Sequence, residues 1–202
     1  MDEVAQEKAA QAADATAALV QFLHQYYPTG LWADEPGYRE SEQFQRLQRL
    51  LEEARKDPHS WRGFVQRARE EFPNSTFWDS TTLFYDPCFR LRISLPVSKE
   101  AEGAHDELVC LVSLLAPVYV IYASHALKTG SFAEAWTRYP PLPPGFQPDE
   151  ARLATLIEST FSATRLPNEV LFAPVPQMDH WGGNVGLGKA RLIDLLFTED
   201  RG

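Results

Sequence analysis

The sequence predicts an α+β fold: an antiparallel sheet of three to five strands over about residues 76–123, packed against N-terminal and C-terminal helices. Three observations predict it. Apolar positions before residue 72 recur at helical spacing, those from 76 to 123 alternate or run unbroken as in strands, and helical spacing returns after a proline-rich loop at 140–148. The chain of 202 residues is long enough to bury about 70% of its unfolded surface in a single domain spanning 1–202.

The N-terminal helical segment, 3–72, opens with a helix over 3–27. Its first half is Ala-rich and polar, whereas Leu19, Val20, Phe22, Leu23 and Tyr26 lie in the second, so only the C-terminal half is expected to pack. Pro28, Gly30 and Asp34-Glu35-Pro36-Gly37 then make a loop carrying Trp32. A second helix follows at about 40–56, with Phe44, Leu47, Leu50 and Leu51 on one stripe. Ser60 is placed to cap a third, Trp61–Phe72, which Pro73-Asn74 ends.

In the sheet, Thr76–Tyr85 is dominated by Thr and aromatic residues, and Asp86-Pro87 turns the chain into Cys88–Leu95. There Phe89, Leu91, Ile93 and Leu95 alternate with Arg90, Arg92 and Ser94, the pattern of a half-buried strand with both arginines on a solvated face. Ser98–Asp106 reads as a polar loop. Leu108–Tyr122 is almost continuously apolar and β-branched, as in strands covered on both sides, with Pro117 bending or dividing it.

The C-terminal helical segment spans 131–197. Phe132, Ala133, Ala135 and Trp136 predict a short helix, Pro140–Gly145 a stiff crossing loop, and Asp149–Ser162 a helix turning Leu153, Leu156, Ile157, Thr160 and Phe161 inward. Pro167 starts a further turn, and a last helix covers about Lys189–Phe197.

A net charge of −9 disfavours nucleic acid, which needs clustered cations. No unbroken apolar run of 18 residues and no signal-like N-terminus occur, so the expectation is a soluble cytoplasmic protein without membrane contact. Cys88 and Cys110 fit a reducing compartment as small buried hydrophobes on neighbouring strands.

Motifs for chemistry are weak. Gly183 to Lys189 fits the spacing of a phosphate loop, but Ala190 stands where a magnesium-holding hydroxyl belongs, and only 12 residues follow it. The five histidines, at 24, 59, 105, 125 and 180, show no metal-binding spacing and read as surface residues. Ser124 and His125 are adjacent, which prevents an ordinary Ser–His pair in extended chain. The sequence therefore nominates no catalytic residue, no metal ligand and no cofactor.

It nominates an interface instead. Trp32 and Trp181 lie in polar, Gly-containing loops, where indoles commonly anchor partners, and Glu100, Glu102, Asp106 and Glu107 form the densest acidic loop. In size, acidity and lack of catalytic motifs the chain resembles bacterial immunity proteins. The resemblance implies a non-enzymatic, cytosolic protein-binding module whose partner is a basic toxin, and it implies no particular residue. The alternative is an enzyme or small-molecule binder with a pocket assembled from residues distant in sequence, between the sheet and the C-terminal segment around His180-Trp181. The oligomeric state is open.

Overall fold

β-Branched and aromatic residues at alternating positions draw the middle of the chain into an antiparallel meander, β1 (Thr76–Asp79), β2 (Cys88–Ser94), β3 (Ala104–Ser113), β4 (Val118–Thr129) and β5 (Phe132–Arg138), in that spatial order. This computed structural model describes residues 3–96, 104–129 and 132–199. A two-residue strand, β6 (Thr164–Arg165), runs parallel to the start of β4. The helices are α1 (Glu3–Leu23), α2 (Pro36–Glu40), α3 (Glu42–Lys56), α4 (His59–Glu71), α5 (Gln147–Phe161), α6 (Asn168–Leu171) and α7 (Leu192–Leu196). The arrangement is α+β.

Both faces of the sheet are covered. Phe89, Leu91, Ile93, Leu108, Cys110, Tyr119 and Ile121 face α4 and α5, where Trp61, Phe64, Leu153 and Ile157 meet them. Cys88, Val109, Leu111, Val120 and Tyr122 face α1, α3, α6 and α7. Each fully buried side chain of this size contributes about 1.5–3 kcal/mol, so both layers are needed.

Several expectations are corrected. The sheet continues to residue 138: β5 replaces the helix expected there, because four apolar residues cannot nucleate an isolated helix, whereas β4 runs to Thr129 and offers an edge to pair with. β3 starts at Ala104, inside the expected loop. The first strand stops at Asp79, and 80–87 forms a turn. Pro117 lies in the turn that divides the long apolar run into β3 and β4, where the Ser113 hydroxyl accepts the Leu115 N–H at 3.1 Å.

β2 is not half-buried. Arg90 lies under the helical layer, ion-paired with Asp86 at 3.0 Å and donating to the Thr198 hydroxyl at 2.7 Å. Cys88 and Cys110 face opposite sides of the sheet, opposite Ser113 and Leu91, so they cannot bridge. Burial raises both thiols, Cys110 to about 12. α4 begins at His59, where Asp57 Oδ1 accepts the His59 N–H at 3.3 Å, so Asp57 rather than Ser60 bonds the first turn. Among the described residues no helix is long and apolar enough to cross a membrane.

Candidate functional site

The turn 80–87 is shaped by hydrogen bonds at its base. Ser80 donates its N–H to the Arg90 carbonyl at 3.1 Å, the Arg90 N–H donates to the Thr81 hydroxyl at 2.9 Å, and the Thr82 hydroxyl donates to Asp86 Oδ2 at 2.7 Å. Leu83 is buried, and its carbonyl accepts from Arg55 Nη1 at 3.0 Å. With the turn fixed this way, Phe84 and Tyr85 point outward, 70% and 62% exposed. The Arg55 guanidinium lies 4.6 Å from the Phe84 ring centre, close enough for a cation–π contact.

A second segment, 179–186, lies against the same turn. Trp181 Nε1 donates to the Phe84 carbonyl at 3.3 Å, and its indole stacks on the His180 ring at 4.2 Å while touching Tyr27 and Phe44. Trp32, 49% exposed, comes from a third loop and covers Gly186, where an added Cβ would stand 2.9 Å from the indole ring. The neighbouring Ala33 N–H donates to Asp179 Oδ2 at 2.8 Å. The structure thus brings the sequence-nominated Trp32 and Trp181 to one segment. Sequence reasoning missed Phe84 and Tyr85, which carried a strand pattern; the following Asp86-Pro87 was the available sign of a turn.

Beneath these aromatics is a polar anchor. His180 has no exposed surface, so the surface histidine expected there is a buried one. Its Nδ1 lies 3.3 Å from Glu199 Oε2 and 3.1 Å from the Gly182 N–H. Glu199 also accepts the N–H groups of Asn184 and Val185 at 3.0 and 3.2 Å and the Asn184 amide at 2.8 Å, which pins the glycine-rich loop. Burial pushes the Glu199 carboxyl up, but these bonds, His180 first, outweigh it and hold the group below its ordinary range. A Cβ at Gly182 would meet Glu199 Oε1, so the approach requires glycine. The Tyr38 hydroxyl donates to the Asp179 carbonyl at 2.7 Å and that of Tyr27 to the Leu195 carbonyl at 2.6 Å; burial raises both phenols, which keeps them donors.

Nδ1 of a neutral imidazole either donates or accepts. It can accept from Gly182 or, carrying a proton, donate to Glu199, but not both. Nε2 is enclosed without a partner among the described residues. A cavity of about 600 Å³ beside the glycine loop is lined by Asn184, Val185, Gly188, Lys189, Arg191 and Glu199, while His180 does not line it.

The acidic residues are placed elsewhere. Glu100 and Glu102 lie outside the described residues. Asp106 and Glu107 sit on β3 rather than in a loop, and both are paired: Asp106 with His125, which stacks on Trp136 at 5.1 Å, and Glu107 with Arg92 at 2.6 Å and His105 at 2.9 Å. Burial raises the Glu107 carboxyl, and the bonds from Arg92 and His105 more than reverse that, leaving it lowered. Among the described residues no group of three or more His, Cys, Asp or Glu is arranged to hold a metal ion. Comparison with known proteins finds no match: no family model, no curated protein and no solved structure is similar to the chain.

Proposed function

We propose that this protein is a non-enzymatic protein-binding module, of the immunity type in which an acidic cytoplasmic protein covers a basic toxin. The contact surface is the aromatic group Phe84, Tyr85, Trp181 and Trp32. The observation that carries this reading is the pair Phe84 and Tyr85, exposed side by side on a turn that Arg90, Arg55 and Trp181 hold in place. Leaving two aromatic rings in water forgoes about 1.5–3 kcal/mol each, a cost that a partner recovers on binding. Anchors held in the bound conformation lose little entropy when the partner docks. The net charge of −9 supports the basic partner, because it draws a cationic protein in from beyond contact range.

The test is affinity capture from the source lysate with the wild type and with Phe84→Ser/Tyr85→Ser, at low and high salt. A single stoichiometric, basic partner, released by salt and lost by the double variant while its melting temperature is unchanged, is the expected result. A partner retained equally by the double variant, or no partner at all, would sink the proposal.

A further inference from the structure

β5 ends the sheet, and its outer side is open. β4 pairs with it from Ala123 opposite Arg138 to Thr129 opposite Phe132, and among the described residues no other backbone hydrogen bond involves 132–138. In an antiparallel ladder alternate residues turn their N–H and C=O groups toward the neighbour and the others turn them away. The outward groups of β5 therefore have no backbone partner among the described residues. The opposite edge is better protected. β1 has four residues, with Arg92 lying 5.7 Å from the Trp78 ring centre and Arg69 5.9 Å from that of Phe77. Edges are blunted by shortness, proline, lysine or a bulge. The seven residues of β5, Phe-Ala-Glu-Ala-Trp-Thr-Arg, include neither proline nor lysine, and their register with β4 skips no residue.

The charges of β5 identify the strand that fits it. Glu134, Trp136 and Arg138 share one face by the period of two. Glu134 and Arg138 are exposed, and neither has an ion pair among the described residues, although the Arg138 guanidinium lies 4.9 Å from the Trp136 ring centre. A second β5 laid antiparallel with Trp136 opposite Trp136 sets Glu134 opposite Arg138 of the other copy, and the two-fold axis repeats the contact. Moving the axis one residue, to Ala135 or Thr137, sets Glu134 opposite Trp136 or Pro140 and leaves both charges unmatched. We propose that a second copy of this chain adds its β5 to this one, antiparallel about Trp136, with Glu134 and Arg138 paired across the axis and the two sheets joined into one. β3 and β4 separate this edge from the strands that the turn 80–87 connects, so the proposal does not rest on the aromatic surface.

The test is sedimentation equilibrium of the full chain over a wide concentration range, with circular dichroism melting to show that each variant is folded. Wild type should pass from monomer to dimer mass as concentration rises. Glu134→Arg and Arg138→Glu should each weaken the dimer by about tenfold, since each sets like charges opposite one another twice. The exchanged pair Glu134→Arg/Arg138→Glu should return to within about twofold of wild type. Amide hydrogen exchange of the wild type locates the contact: alternate amides of 132–138 should slow in step with the dimer fraction. Monomer mass at every concentration overturns the proposal. So does a dimer in which these amides exchange as fast as in the monomer, or single charge reversals that have no effect or that the exchanged pair fails to rescue.

Discussion

Under α4 and α5 the sheet is closed chiefly by apolar contact: Trp61 stacks on Phe89 at 4.8 Å, and Phe64 meets Phe161 at 5.3 Å. Under α1, α3, α6 and α7 it encloses charge as well, with Arg90, Asp86, Thr198, Asp179, His180 and Asp194 all buried. Apolar burial is non-directional and accepts many side chains of similar volume, whereas a buried ion or amide must find a partner at one distance and angle. The first face supplies stability mainly, and reaches the surface turn 80–87 through the buried Leu83. The second fixes the turn 80–87 and the segment 179–186, which carry the exposed aromatics. Polar burial here orients loops.

The contrast can be broken first on the apolar face. Leu91→Asp or Ile93→Asp places an unpaired carboxylate in a fully buried layer and should leave the chain unfolded by circular dichroism. A cooperative melt near the wild-type temperature would refute the packing described. On the polar face, Arg90→Ala should cost about 3–5 kcal/mol in denaturant unfolding by stranding Asp86, while Arg90→Met/Asp86→Leu should recover most of that loss. Equal destabilisation by single and double variants would mean that the ion pair is not what holds the turn.

Glu199→Gln should cost about 1–3 kcal/mol, because it leaves donors of the glycine loop without a charged acceptor. Glu199 and Glu107 also predict the acid limb. Both are lowered in the folded state, so the stability they contribute is complete above their unfolded value of about 4.3 and is lost as pH falls through the folded values. Asp179 acts with the opposite sign: burial raises it against the bonds from Ala33 and His180, so its ionisation with rising pH opposes folding. Thermal melts between acid and neutral pH should show a flatter acid limb in Glu199→Gln and Glu107→Gln than in wild type. The smallest effect belongs to the exposed pair: Phe84→Ser and Tyr85→Ser should change unfolding free energy by no more than about 0.5 kcal/mol. A larger loss would make these rings part of the core rather than a surface.

Local pattern by itself determined the α+β class, the helical stripes of α3 and α5 and the alternation of β2, because periodicity of 3.6 or 2 is written in neighbouring residues. It also marked Trp32 and Trp181, since an indole among glycines has no local packing to explain it. What it could not contain was the identity of distant partners. Arg90 reads as solvated until Thr198 covers it, His180 reads as exposed until Glu199 reaches it from 19 positions away, and Asp106 and Glu107 read as a free acidic loop until β4 brings His125 and β2 brings Arg92. Residues 132–138 became a strand because β4 offered an unpaired edge. In each case the environment of a polar or ambiguous segment came from chain remote in sequence. Only the tertiary structure decided whether its hydrogen bonds would go to water or to protein.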